Sequence, residues 1–524
     1  MREYLPQAWE QVPLGEVCEI VAGVGIPEKI QGQTDLSVPI FKVGDISRAW
    51  QRKQIQLLTS MNTLSDEAAF DLSKRLIPSG ATLFAKIGAA IALNRRAIAG
   101  CPCIVDNNVM ALLPRPGISS LYIFYLMTTI HLDQFARATT VPSIRKDDVS
   151  GIEVPIPPFL EQERLSSELD SYLTRLDAAE QALLRAQANL KRYRASVLKS
   201  AVEGRLVPTE AELARQEGRE YEPASALLAG ILAERKFRWE KTERAKMKAK
   251  GIVPKDNRWK AKYEEPVGPD LSGLPDLPEG WCWATVDQVA EVGTGATPRR
   301  GENRYYEGGT IPWVTSAAVN ERFVHETAEF VTPAALKETN LSVYPSGTLI
   351  LAMYGEGRTR GKVAELTIAA TTNQALAALV LPGSAKAVQP WVSLFLEHNY
   401  EAIRRLSSGG VQPNLNLGIV RSLQFPLPPL MTQGAIVKEV EEALSETEST
   451  LASIAGSLAR IARLRQSILK WAFEGRLVDQ DPNDEPAAEL LARIRAAREK
   501  PGARKDKPRR APRQPLSATK SRTR

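Results

Sequence analysis

Apolar residues recur at alternating steps of four and three along Leu165, Leu169, Tyr172, Leu176, Ala179, Leu183, Ala186, Leu190, Tyr193 and Val197. This is a heptad seam, and it predicts one long helix whose apolar stripe must be buried against a partner. A second run at Ile436, Val440, Ala443, Thr447, Thr450, Ile454, Ser457, Ile461, Leu464 and Ile468 keeps the same steps. A Pro-rich segment precedes each run, no proline interrupts either, and the glycine of EGRLV ends both, at 203–207 and 474–478. Each helix should hold about 44 residues and be roughly 65 Å long. Neither can fold alone, so the simplest partner is the other copy, parallel or antiparallel. Thr447, Thr450 and Ser457 weaken the second seam, which fits a pair that also accepts other chains.

The shift of 271 between the two EGRLV copies (474 − 203) holds without a gap from Pro142/Pro413 to Val207/Val478. Upstream, LPQAW at 5–9 matches LPEGW at 277–281, VAGVGIP at 21–27 matches VGTGATP at 292–298, and Pro78-Ser-Gly matches Pro345-Ser-Gly. Downstream, EPASALLAGILAER at 222–235 matches EPAAELLARIRAAR at 485–498. The chain is therefore a duplicated unit: globular part, long helix, tail, and the same again. This predicts a first globular domain at 1–157 and a helix at 158–207, then an amphipathic helix with a basic linker at 208–276. The second domain is placed at 277–428 and the second helix at 429–478. A short helix with a basic disordered tail at 479–524 ends the chain. Both globular domains are expected to be α+β.

At 524 residues the chain exceeds a single core. It has no bilayer-length apolar run and no signal-peptide pattern after Met1, so the expected location is cytoplasmic. The four cysteines do not match between the repeats and read as reduced thiols. The net charge of +7 is uneven: 500–524 hold ten Lys or Arg against one acid, and 235–262 hold twelve against three. The globular units are near neutral, so any anion-binding face on them must be local.

Catalytic patterns are missing. The three histidines stand apart from any H-E-x-x-H, and no phosphate-binding loop, dinucleotide fingerprint or amino-methyltransferase motif occurs. What remains is polar and loop-borne. In the second unit, Gly355, Gly357 and Gly361 allow a tight turn from which Arg358, Thr359, Arg360 and Lys362 project. Arg suits guanine and phosphate, Lys suits phosphate, and the nearby Asn373 and Gln374 suit adenine. The first unit offers Lys86, Asn94, Arg95 and Arg96, then Asp106–Asn108. These are the candidate DNA-binding residues; no catalytic or metal-binding residue is expected. The turns before the long helices, at 139–149 and 408–420, look structural because Pro142 and Val149 occupy packing positions. In the insert, basic residues with Phe237, Trp239 and Trp259 suit either DNA or a solvated linker that docks on a protein partner.

LP-x-x-W starts, P-S-G, GEGRTRGK at 355–362, P-[IL]-P-P-x-x-x-Q helix entries and LKxAxEGRLV helix ends occur in one order. Together they resemble the specificity subunit of type I restriction–modification enzymes, over about 500 residues. The resemblance implies two α/β target recognition domains, each reading half of a split DNA sequence through the major groove. It implies an antiparallel coiled-coil spacer between them, with the seam at Leu165, Leu169, Leu176, Leu183, Leu190, Val197, Ile436, Val440, Ile454, Ile461, Leu464 and Ile468. It further implies double-stranded DNA, two modification subunits and restriction subunits as partners. S-adenosylmethionine, ATP and Mg are then expected on those partners and not in this chain. The rival reading is a coiled-coil scaffold for protein partners alone.

Overall fold

A computed structural model describes residues 5–137, 141–254, 256–355, 359–406 and 414–499. It divides into two units, Met1–Arg185 with Ile454–Arg524, and Ala186–Ser453. The boundary cuts each long helix in two, so each unit takes part of both.

The two units share one topology. In the first, a five-stranded sheet has the spatial order Cys18–Ala22, Val109–Pro114, Thr82–Ala85, Arg96–Ala99, Gln56–Leu57; only the last pair is parallel. In the second, the order is Glu291–Thr294, Leu376–Val380, Leu349–Ala352, Val363–Leu366, Phe323–Val324, with the same directions. Three-stranded sheets are built around Val38–Phe41 and Ile311–Val314, where Pro39-Ile-Phe in the first unit answers Pro312-Trp-Val in the second. A two-stranded ribbon leads into each long helix, Glu10–Pro13 with Glu153–Ile156 and Cys282–Thr285 with Gln424–Leu427. The P-S-G turn enters each central strand through a glycine in the left-handed region, Gly80 at φ +88 and Gly347 at φ +87.

The glutamine of the P-x-P-P-x-x-x-Q entries ties each helix start to the chain before it. Gln162 Nε2 donates to the Pro157 carbonyl at 3.0 Å, and Gln433 Nε2 to that of Pro428 at 2.7 Å. The helical bond ladder begins at the next proline carbonyl, so the Pro157 and Pro428 carbonyls lie outside it and the buried glutamine amide satisfies them. The helices span Phe159–Val202 and Leu430–Phe473.

Each EGRLV docks on an LP-x-x-W. Gly475, at φ +69, lies against Pro6 and Trp9; Gly204, at φ +67, lies against Pro278 and Trp281. The tail helices continue the pattern. Ala487 N donates to the Ala8 carbonyl at 3.0 Å, and Ala224 N to that of Gly280 at 2.8 Å. Leu490, Leu491 and Ile494 are buried in the first unit's core, and Leu228 and Ile231 in the second's. The C-terminal end of the second repeat thus completes the first globular fold. Each such side chain contributes up to about 1.5–3 kcal/mol.

Charged pairs between the helices show their direction. Arg465 pairs with Asp177 in the first unit, and Arg194 with Glu448 at 3.5 Å in the second. Under the repeat shift of 271, Asp177 maps to Glu448 and Arg194 to Arg465. One ion pair is therefore made twice with its partners exchanged, as in an isologous contact. The helices pair antiparallel.

The seam is displaced by one flank from the sequence reading. Tyr172, Ala179 and Tyr193 are exposed, while Leu173, Glu180 and Arg194 are half-buried. In the second helix Thr450 and Leu464 are exposed, the latter by 44 %, while Leu451 and Arg465 turn inward. Leu464 is thus corrected out of the seam. Leu165, Leu169, Val197, Ile436, Val440, Ile454 and Ile461 are buried; Leu176, Leu183, Leu190 and Ile468 are half-buried. The heptads through Leu169, Leu176, Leu183, Leu190 and Val197 accept a companion row on either side. The sequence favoured the row carrying Tyr172 and Tyr193. The fold uses the other, where Asp177 and Arg465 can pair. The weak Thr450 and Ser457 positions are flanked in the second helix by Leu451 and Leu458.

Burial pushes the Asp177 carboxyl up, but bonds from Lys53 (2.9 Å) and Arg465 outweigh this and hold it below the ordinary range. Its contribution is present above the unfolded carboxylate pKa and is lost as pH falls through the lower folded value. Arg465→Glu, facing Asp177 and Glu180, should cost the first unit about 1–3 kcal/mol. Arg194→Glu should cost the second unit less, because Glu448 is 66 % exposed. Melting curves at neutral and acid pH check this: the Arg465→Glu deficit should shrink in acid and be reduced by adding Asp177→Lys.

Candidate nucleic-acid interface

The hairpin loops that carry the candidates, 86–95 and 353–362, join equivalent strands and have the same length. Their scaffold positions do the same work. Lys86 N donates to the Asn108 carbonyl at 2.9 Å and Lys86 O accepts from Ile144 N at 2.9 Å. Met353 makes the same pair of bonds with Ala375 (2.8 Å) and Leu415 (3.0 Å). Asn94 at φ +50 stands where the second unit has Gly361 at φ +86. Both reverse the loop in the left-handed region, which asparagine tolerates better than most residues.

Arg96 is corrected from the candidate surface. It is 1 % exposed, begins a sheet strand, and lies over the Phe84 ring with its guanidinium carbon 5.5 Å from the centroid. Its guanidinium donates to the Arg95 carbonyl (2.9 Å), Asn94 Oδ1 (2.6 Å) and the Ile130 carbonyl (3.3 Å). Burial pushes its pKa down to about 9. Asn94 is spent with it, since its Nδ2 donates to the Thr128 carbonyl at 3.2 Å. Asn373 is a turn residue: its Oδ1 accepts from Ala375 N at 3.1 Å, as Asp106 Oδ1 accepts from Asn108 N at 3.1 Å. Burial raises the Asp106 carboxyl against its bonds from Asn108.

Lys86 and Arg95 remain half-exposed in the first unit, with Asn107 exposed at the neighbouring turn. In the second, Thr359, Arg360 and Lys362 are half-exposed and Gln374 is exposed. Lys362 Nζ donates to Asn320 Oδ1 at 2.8 Å, and Gln374 Oε1 accepts from Thr297. Arg358 lies outside the described residues.

Two elements join the site that the sequence reading left apart. Gly88 N donates to the Pro142 carbonyl at 2.8 Å, which sets the turn before the first long helix against the hairpin loop. Arg145 and Lys146 in that turn are exposed, whereas the equivalent Asn416 caps a helix by accepting from Ile419 N at 2.8 Å. The Thr297–Gln374 contact brings the exposed Arg299 close, where the first unit has Glu28. The glycines of these segments were the available signal. A Cβ at Gly23 or Gly295 would collide with the backbone carbonyl of Asp106 or Thr372.

Among the described residues no group of His, Cys, Asp and Glu could hold a metal ion, and no helix is long and apolar enough to cross a membrane. Cys18 and Cys103 are buried thiols pushed up to about 12 by burial. They are poor nucleophiles there.

The model of the type I restriction modification DNA specificity domain matches residues 6–186 and 278–454. The chain is 25 % identical over 382 residues to the type I restriction enzyme EcoDI specificity subunit of Escherichia coli, covering 70 % of this chain and 74 % of that one. It is 21 % identical over 529 residues to the EcoKI specificity subunit of Escherichia coli strain K12, covering 96 % and 98 %. The crystal structure of the HsdS subunit from Thermoanaerobacter tengcongensis has a similar fold, with TM-score 0.51 at 18 % identity over 90 % of this chain and 98 % of that one. A chain from work on complex assembly and conformational transition of the type I R-M system has TM-score 0.57 at 18 % identity, covering 90 % and 99 %. With a matched domain in each repeat, the chain belongs to the type I restriction–modification DNA specificity family and is a non-catalytic specificity subunit.

Proposed function

We propose that each unit reads one half of a bipartite DNA target and directs adenine methylation and restriction by partner subunits. One observation carries this reading. The two hairpin loops share length, backbone bonds and left-handed reversal, while the residues at and around them differ: half-exposed Lys86 stands where Met353 is buried, and in the neighbouring segments exposed Asn107 answers Gln374 and exposed Glu28 answers Arg299. One frame with two sets of tips suits two different half-sequences. Lys86 and Arg95 serve the first half. Thr359, Arg360, Lys362 and Gln374 serve the second, with Arg358 in the same loop. The antiparallel helices set the separation between the halves. Two modification subunits carry S-adenosylmethionine, restriction subunits use ATP and Mg, and the assembly works in the cytoplasm.

Selection of a split motif from random duplexes by the chain with its modification subunits tests this. Lys362→Ala with Gln374→Ala should relax base preference in one half only, by about 1–3 kcal/mol per contact, or roughly 5- to 150-fold. Lys86→Ala with Arg95→Ala should act only on the other half. Equal weakening on every sequence would make these residues phosphate anchors. Failure to enrich any split motif would favour the protein-scaffold reading.

A further inference from the structure

The insert between the first EGRLV and the second LP-x-x-W is folded. Helix Ala224–Ala249 buries Ala224, Leu228 and Ile231 in its own unit, then runs on past the amphipathic stretch. A return segment with a short 3-10 helix at Arg258–Lys262 packs back on it. Trp239 stacks on Trp259 with centroids 5.9 Å apart and 18° between planes, and Tyr263 packs on Trp239 at 5.3 Å. Trp259 is only 8 % exposed, so its ring joins helix to return segment and is closed to a stacking base.

Four acids around the helix are used internally. Glu240 pairs with Lys260 (2.8 Å), Glu243 with Lys246 (2.7 Å), Asp256 with Arg258 (2.9 Å) and Glu265 with Lys236 (3.1 Å). Lys241, Arg244 and Lys248 are exposed and have no acidic partner among the described residues. Arg244 is held over the Trp259 ring at 5.5 Å. Steps of three and four place the three cations on one helix face, spread over about 10 Å.

We propose that this face clamps the sugar–phosphate backbone of duplex DNA without regard to sequence, outside both recognition domains. The proposal rests on the chain being a DNA-binding subunit, but not on which bases either domain reads. A duplex presents one phosphate charge per about 1.7 Å of axis, so a 10 Å row of unpaired cations always meets several. An acidic protein surface is the competing occupant, since Phe237 and Val253 are 66 % and 83 % exposed beside the row. Charge decides for DNA: the nearby Glu240, Glu243 and Asp256 are paired with other cations, which leaves Lys241, Arg244 and Lys248 without an acidic partner among the described residues.

The test is a salt titration of the full chain with its modification subunits on two labelled duplexes, one carrying the selected target and one scrambled. In the variant Lys241→Gln, Arg244→Gln, Lys248→Gln, both duplexes should weaken by the same factor. The slope of log K against log salt should fall by about 2–3, near 0.9 per contact. Lys241→Gln alone, a side chain that does not lie over a tryptophan ring as Arg244 does, should lower it by about 1. Lys246→Gln, whose charge is already paired, should leave it unchanged. The near-ultraviolet dichroism of the stacked tryptophans reports whether the insert stays folded, and the Lys241→Gln result decides if the triple variant does not. Unchanged slopes, or a loss confined to the target duplex, overturn the proposal. Normal DNA binding with lost retention of the modification subunits overturns it in favour of a protein partner. A wild-type complex with no target preference, but with the slope loss on both duplexes, would fail the half-site reading and leave the clamp standing.

Discussion

Gly475→Ala is expected to destabilise the first unit by about 3 kcal/mol and lower its melting temperature by roughly 6–12 °C. Two costs combine. Gly475 sits at φ +69, where a Cβ costs about 1–2 kcal/mol. That Cβ would also lie 2.7 Å from Pro6 Cδ and against Trp9, both parts of the LP-x-x-W that starts the chain. Gly204→Ala should do the same to the second unit, through Pro278 at 2.5 Å and Trp281 at 3.0 Å. Gly218 separates the two costs. It has φ +65 and nothing within 4 Å of a built Cβ, so Gly218→Ala should lose only the backbone term. Because Gly475 and Gly204 belong to different units, their double variant should show additive losses. Calorimetry of the four variants decides. Equal losses at 218 and 475 would mean that the docking of EGRLV on LP-x-x-W carries no weight.

Arg96→Ala should cost the first unit about 3–5 kcal/mol, and Arg95→Ala less than about 0.5 kcal/mol. The two arginines are adjacent and of one type, yet their roles are opposite. Removing Arg96 leaves a cavity under Phe84 and strips donors from Asn94 Oδ1 and from the carbonyls of Arg95 and Ile130. Arg96→Met keeps most of the volume and sheds the buried charge, so it should lose less than Arg96→Ala. Arg95 is half-exposed, and its loss should appear in base preference with the melt unchanged. Chemical denaturation paired with DNA selection checks this. A destabilised Arg95→Ala with a stable Arg96→Ala would reverse the assignment.

The loops show where sequence reading stops. Lys86, Asn94, Arg95 and Arg96 look alike as polar residues of one segment. Only the strand that begins at Arg96 turns that side chain inward, and only the φ of Asn94 shows that it stands for a glycine. The glycines of the matched turns pointed to close backbone approach, but not to the carbonyls of Asp106 and Thr372 that require it. The turn that carries Arg145 and Lys146 reads as structural from its packing residues. It does pack, and for that reason it carries its cations to the hairpin.

The duplication, the two long helices, their ends and the absence of catalytic motifs were properties of the sequence by itself. Each is local: a repeat shift, a period of seven, a proline, a glycine. The tertiary structure decided which partner each local element meets. A heptad through Leu169 and Leu176 admits either neighbouring row, and burial with the Asp177–Arg465 pair selects one. An EGRLV glycine states that something comes close. Only the fold shows that it is the tryptophan start of the other repeat, because contacts between residues far apart in sequence leave no periodicity in the chain.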